Sequence, residues 1–171
     1  METTEARDMV KATMQKLNIF ARMLFEKDGY HVAMVMFLDG DGNVIPPPIP
    51  MVDLNGIRAD SKSELLEEAK AAGAQTMVTI SEAWEYSGSS RSHTTKQLLL
   101  HEMNVSDLRP EDRQEILVLT ATMRDGFTVM ISSPVDRSAG SPSLFEAKWL
   151  EASPEDLEQH MGGRLPNIWR D

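Results

Sequence analysis

The sequence contains no cysteine. This absence excludes disulfides, thiolate nucleophiles, iron–sulfur clusters and cysteine-based zinc sites, and it is in keeping with a reducing compartment. No apolar run approaches the roughly 20 residues that a membrane-spanning helix requires. The first residues also lack the basic start and continuous apolar core of a signal peptide. We therefore expect a cytoplasmic protein with no membrane partner.

Positive charge is scarce, because 17 lysines and arginines stand against 27 acidic residues and give a net charge of −10. Such a field repels phosphate backbones, so we expect no nucleic-acid partner. The same charge suits docking on a basic protein partner, and it also suits plain solubility. The composition does not decide between these two interpretations. It does not determine the oligomeric state either.

Aromatic residues are few, at 6% of the chain, but twelve methionines supply adaptable filling for a core. Hydrophobic residues make up 41% and charged residues 26% of the chain, which is ordinary for a globular protein. A chain of 171 residues is long enough to bury roughly two-thirds of its unfolded surface. We expect a single domain over residues 1–171.

Helical periodicity and capping signals predict three helices. Apolar residues repeat at 4-3-4-3 spacing within residues 5–28, where Val10, Met14, Leu17, Ala21 and Leu24 form the stripe. A capping box that starts at Ser61 predicts a second helix over residues 61–72. Ser-Pro-Glu-Asp at residues 153–156 begins the third.

Alternating and continuously apolar stretches predict the strands, at residues 30–38, 75–84, 114–123, 127–133 and 144–151. Asp-Gly turns at 39–43 and 124–126 predict hairpins, and hairpins require antiparallel pairing. The proline-rich stretch 46–50 predicts an extended connector, and the polar stretch 86–97 a mobile loop. The prediction is an α+β fold, a mainly antiparallel sheet of about five or six strands with helices packed on it.

One strand carries a carboxylate in an apolar row. Period-two geometry places Val78, Ile80, Glu82 and Trp84 on the same face. A lone carboxylate in an apolar setting is unfavourable, so Glu82 requires a partner or a position near the rim of the sheet.

A second strand repeats this pattern. Glu115 begins an apolar row that continues at Leu117, and Arg113 is in register with it two residues earlier. We expect Glu82 and Glu115 to lie on neighbouring strands and on one face, with Arg113 within salt-bridge reach of at least one of them.

Two interpretations of this constellation remain open. In the structural one, Arg113 forms a bidentate pair with Glu82 or Glu115 and joins the strand ends. In the functional one, the two carboxylates and the arginine line a pocket, and one carboxylate with a raised pKa acts as acid or base. Trp84 and His101 are the candidates for the pocket wall.

No cofactor or metal is predicted. His31, His93 and His101 are the histidines considered as ligands beside the glutamates, and none has the His-x-His or His-x-x-x-His spacing of a metal site. Whether the protein is an enzyme at all is left open by the sequence.

The segments "SEAW" (81–84) and "PEDRQEIL" (110–117) together resemble a pattern in small uncharacterised bacterial and phage proteins. The resemblance implies no activity. The two segments contain Glu82, Trp84, Arg113 and Glu115, the residues that strand alternation identified independently. The leading hypothesis is a non-enzymatic interaction protein with an acidic surface, derived from a phage or mobile element. The alternative is a small hydrolase-like enzyme that uses Glu82 and Glu115 with Arg113.

Overall fold

The computed structural model describes residues 3–50, 59–86, 88, 91–100, 102–152 and 168–169. The helices are α1 (Thr3–Asp28), α2 (Ala59–Ala71) and α3 (His93–Leu99). The strands are β1 (Met34–Leu38), β2 (Val44–Pro50), β3 (Thr76–Glu85), β4 (Gln114–Met123), β5 (Thr128–Asp136), β6 (Ser143–Leu144) and β7 (Lys148–Ala152).

The strands form an antiparallel sheet in the order β2-β1-β3-β4-β5, and β5 also pairs with both β6 and β7. Its centre is the long β3–β4 ladder, which runs from Thr76 opposite Met123 to Glu85 opposite Gln114. The predicted α+β class with an antiparallel sheet is confirmed. The sheet has seven strands instead of five or six, because residues 44–50 add β2 and the predicted strand 144–151 is divided into β6 and β7.

The proline-rich stretch is extended and is not an interior strand, as predicted, but it forms an edge strand of the sheet and is not merely a connector. β2 pairs only with β1 among the described strands, with Met34 opposite Pro50 and Leu38 opposite Val44. Proline cannot donate a ladder hydrogen bond, but at an edge one side of the strand needs no donor. The prolines therefore fit the fold at the one kind of strand position that tolerates them.

Helix α1 contributes its apolar stripe to the larger core cluster. Val10, Met14 and Phe25 are buried there together with residues of β3, β4 and β5. The stripe differs from the predicted one at its end, where Phe25 is fully buried and Leu24 is exposed. None of the helices in the described part of the chain is long and apolar enough to cross a membrane, α1 included.

Helix α2 belongs to a second cluster on the opposite face of the sheet. Its Leu65 and Ala69 are buried with Val35, Phe37 and Met77. Because β-strand side chains alternate between faces, the neighbours of these strand residues point toward α1. The buried residues of α1 and of α2 therefore belong to two core clusters on opposite faces of the sheet.

Two local predictions are corrected by the structure. α3 occupies residues 93–97 of the stretch 86–97 that was predicted as a mobile loop, because Ser92 caps the helix and accepts a hydrogen bond from the Thr95 N–H at 3.1 Å. α2 already includes Ala59, so Ser61 lies inside the helix and is not its N-cap. The helix predicted from residue 153 lies outside the described residues.

Candidate functional site

Glu82 and Glu115 lie on the neighbouring strands β3 and β4. The ladder places Glu82 opposite Leu117 and Trp84 opposite Glu115. Residues directly opposite each other in an antiparallel pair share a face, so both carboxylates lie on the face that α1 contacts. This part of the prediction is confirmed.

Arg137 is the arginine that pairs with Glu115, and the expected pairing of Arg113 with one of the two carboxylates was wrong. Arg137 Nε and Nη2 donate to the two carboxylate oxygens of Glu115 at 2.6 and 2.5 Å. Such a bidentate geometry is the strongest form of an arginine–carboxylate contact. Glu115 is largely covered and Arg137 is half exposed, so this ion pair lies at the rim of the sheet.

Arg113 has other contacts. Its guanidinium lies 4.1 Å from the centre of the Trp84 ring, and its Nη1 donates to the backbone carbonyl of Ser106. A guanidinium above an indole ring is attracted electrostatically by the negative potential of the ring face. Trp84 is thus a stacking platform for Arg113 at the end of β3. The other candidate for the pocket wall, His101, lies outside the described residues.

Glu82 is half-buried and accepts a hydrogen bond from the backbone N–H of His31 at 3.3 Å. Partial burial raises the pKa of Glu82 above its ordinary value. The His31 N–H and the charge of Arg137 lower the pKa in part, whereas the neighbouring charge of Glu115 raises it further. Glu82 is therefore the carboxylate of the cluster that holds a proton more tightly than usual.

The imidazole of His31 is hydrogen-bonded to the backbone, since its Nδ1 lies 2.7 Å from the carbonyl oxygen of Val32. Within the residues that the structure describes, no three histidine or acidic side chains are grouped as metal ligands. His31 acts on Glu82 through its backbone N–H and, more weakly, through its charge, and both lower the pKa of the carboxyl.

A shallow cavity of about 100 Å³ lies beside His31 at the end of α1. It is lined by Leu24, Asp28, Tyr30, His31, Val32 and Met34. Pockets that bury a small-molecule ligand have volumes of about 300–1,000 Å³, so this cavity is small for such a ligand. Chemically, the cluster provides one carboxylate with a raised pKa, next to a cavity with little room for a substrate.

The raised pKa of Glu82 predicts a pH-dependent effect on stability. Because the folded state binds this proton more tightly than the unfolded state does, the contribution of Glu82 to stability is greatest below the unfolded pKa of about 4.3 and is lost as pH rises through the folded pKa. Glu82→Gln removes the titration. We expect its melting temperature to exceed that of the wild type by about 1–2 °C at pH 8, a small effect since water reaches the carboxylate.

The two melting temperatures are expected to converge at about pH 3, well below both pKa values, where Glu82 is protonated in both states. Glu115→Gln is the matched control, since it makes the same change in a carboxylate that has an arginine partner. We expect this control to lower the melting temperature at pH 8 by about 2–4 °C. Thermal unfolding followed by circular dichroism at both pH values gives the answer. A Glu82→Gln variant that melts at a lower temperature than the wild type at pH 8 would contradict the raised pKa of Glu82.

The sequence analysis did not find Arg137, although a signal for it exists. The predicted strand 127–133 ended before Pro134, whereas β5 continues to Asp136. Extending the alternation of Ile131 and Ser133 by two more steps reaches Arg137, in the row that faces Glu115. Finding Arg137 from the sequence would have required knowing that β5 continues through Pro134.

Comparison with known proteins adds a family assignment. No curated protein and no solved structure matches the chain. The protein-family profile described as bacteriophage lambda protein ea47 matches residues 1–157. The match agrees with the expected phage resemblance, and it does not test the two short motifs on which that resemblance was based. Since the match covers nearly the whole sequence, the chain belongs to the bacteriophage lambda protein Ea47 family.

Proposed function

We propose that this phage-family protein is a non-enzymatic interaction protein that acts in the cytoplasm and binds a basic protein partner through its acidic surface. The observation that carries the proposal is that both arginines near the carboxylates are engaged in the protein's own contacts. Arg137 pairs with Glu115, while Arg113 contacts Trp84 and Ser106. Arginines held in this way join the ends of β3, β4 and β5 and are not directed at a substrate.

The charge of the chain favours a basic partner. An excess of ten negative charges produces a long-range field that attracts basic surfaces and speeds their association. On the described surface, α2 exposes Glu64, Glu67 and Glu68 at helical neighbour spacing. Binding driven by such charges weakens as salt screens them, which gives the proposal a measurable signature.

The alternative function is a small hydrolase-like enzyme that uses Glu82 and Glu115 with Arg113. One observation favours it, namely the raised pKa of Glu82, because catalytic acids and bases require tuned pKa values. Two observations weaken it. Arg113 is directed at Trp84, and the cavity of about 100 Å³ beside His31 is lined by neither Glu82 nor Glu115 and is small for a substrate.

The test begins with capture of proteins from a lysate of phage-infected bacteria on the immobilised full-length chain. Each captured protein is then purified, and its affinity for the chain is measured by calorimetry. We expect the Kd of a true partner to weaken about tenfold between about 50 mM and about 300 mM salt. An affinity that is equal at both salt concentrations would contradict binding through the acidic surface.

Charge variants on α2 sharpen this test. Replacing Glu64, Glu67 and Glu68 by lysine changes the net charge by two units at each position, from −10 to −4, and we expect weaker binding. Aspartate at the same three positions keeps the charge and serves as the control. The enzyme alternative is supported instead if Glu82→Gln keeps the native melting temperature but loses a hydrolytic activity that the wild type has.

A further inference from the structure

The outward side of α1 and the segment that follows the helix in the chain expose a continuous apolar surface, which we call the α1 patch. Its members are exposed by 45% to 63% and are Ile19, Phe20, Met23, Leu24, Tyr30 and Val32. The helical members are neighbours at i, i+4 spacing, and Leu24 joins Tyr30 and Val32 around the small cavity at the end of α1. The α1 patch is therefore one surface and not a scatter of single apolar residues.

The four helical members of the α1 patch lie in a stretch of α1 that is free of acidic residues, whereas Tyr30 and Val32 come after Glu26 and Asp28. Residues 9–25 contain no aspartate or glutamate, in a chain that has 27 of them. Two of the three basic residues in this stretch are engaged, since Lys11 pairs with Glu151 at 3.0 Å and Arg22 donates to Ser133 at 2.7 Å. The helical part of the α1 patch thus contributes no carboxylate that would repel a second acidic copy, and the nearest acidic residues along the chain are Glu26 and Asp28 at the end of the helix.

The area of the α1 patch is in the range that a dimer requires. At these exposures each side chain presents about 100 Å² of surface, so the α1 patch presents about 600 Å² per copy. The largest apolar patch on an ordinary monomer is about 300–600 Å². A standard protein interface buries about 800 Å² per partner, so the α1 patch with its polar rim is sufficient for one.

We propose that a second copy of this chain covers the α1 patch, forming a two-fold dimer in which the two α1 helices pack against each other. In such an isologous interface the same surface is used on both copies, so it must be self-compatible in charge. The acid-free stretch meets this condition, whereas surfaces rich in carboxylates would meet like charge on the second copy. Burial of the apolar side chains then supplies the free energy of association.

The dimer goes beyond the proposed function and does not depend on it. α2 contacts the face of the sheet opposite to α1, so association through α1 leaves the glutamates of α2 exposed on both copies. Two identical acidic surfaces would then bind a multivalent basic partner with higher avidity than one. Dimerisation is tested on the purified chain alone, so its failure would be distinguishable from a failure to bind a partner.

The experiment is analytical ultracentrifugation of the wild type, Met23→Glu and Leu100→Glu. Leu100 is the matched control, because it is also an exposed apolar residue but belongs to the C-cap of α3. We expect the wild type to be dimeric at about 100 µM, and Met23→Glu to weaken the dimer at least about 100-fold, since each interface buries two uncompensated carboxylates. Leu100→Glu is expected to remain dimeric. Higher salt should strengthen the wild-type dimer, because it screens repulsion between acidic copies.

Oxidative cross-linking is the second measurement. The chain has no cysteine, so a cysteine introduced at position 19, 20 or 23 reacts only with its counterpart in another molecule. We expect a disulfide-linked dimer from at least one of these variants and none from Leu100→Cys. The proposal is overturned if the wild type sediments as a monomer at about 100 µM, or if Leu100→Glu disrupts the dimer as strongly as Met23→Glu does.

Discussion

The Phe25→Ala variant is expected to lose about 3–5 kcal/mol of the free energy of unfolding. Phe25 is fully buried and belongs to the core cluster that α1 shares with β3, β4 and β5. Truncation removes the apolar surface of the ring and leaves a cavity that the sheet cannot collapse to fill. This loss is a large part of the about 5–15 kcal/mol by which domains are stable. For a domain of this size each kcal/mol lowers the melting temperature by about 2–4 °C, so we expect a fall of about 6–20 °C.

The matched control is Phe20→Ala, which removes the same side chain from the same helix. Phe20 is 63% exposed, so its truncation should change the free energy of unfolding by no more than about 0.5 kcal/mol. Urea unfolding at a low protein concentration, where copies of the chain do not associate, measures both values. Equal losses in the two variants would mean that α1 is not seated on the sheet through Phe25.

This contrast within one helix illustrates what the sequence determines. Periodicity located α1 to within a few residues, but its apolar residues cover more than one side of the helix. The sequence pattern assigned Leu24 to the core, whereas the structure buries Phe25 and exposes Leu24. The choice depends on how the helix is rotated against the sheet, and that rotation is set by tertiary packing and not by spacing alone.

In the cluster of Glu82, Glu115 and the two arginines, the local sequence pattern again predicted some features, whereas others depended on tertiary contacts. Alternation placed Glu82 and Glu115 on one face of neighbouring strands, because side-chain direction in a strand follows from position alone. The arginine partner did not follow from alternation on the same strand. Arg113 stacks on Trp84, and Arg137 reaches Glu115 from the end of β5. A long side chain selects its partner by reach in three dimensions, and strand ends are where sequence patterns locate residues least well.

The second prediction with a large effect concerns Arg22, a cation of α1 that is bonded to neutral groups. Its Nη1 donates to the hydroxyl of Ser133 at 2.7 Å and to the carbonyl of Phe145 at 2.9 Å, and its Nη2 reaches the carbonyl of Leu144 at 3.4 Å. Arg22 thus joins α1 to both β5 and the two-residue strand β6. Ser133 is fully buried, so Arg22→Ala deprives a buried hydroxyl of a charged donor.

We expect Arg22→Ala to lower the free energy of unfolding by about 2–4 kcal/mol. Arg22→Lys should recover less than half of this loss, because an ammonium keeps the charge but lacks the planar fork that donates in several directions at once. Lys16→Ala, an exposed cation on the same helix, should change stability by no more than about 0.5 kcal/mol. Urea unfolding of the three variants ranks these effects.

Hydrogen exchange gives a local readout of the same contact. The Phe145 N–H donates to the carbonyl of Pro134 at 2.9 Å, next to the short pairing between β6 and β5. A strand of two residues has little stability of its own, so its protection depends on groups that hold it from outside. In Arg22→Ala we expect the Phe145 amide to exchange faster relative to amides of the β3–β4 ladder. Unchanged exchange at Phe145 in Arg22→Ala, together with native stability of this variant, would show that β6 is held by its own ladder and not by the guanidinium of α1.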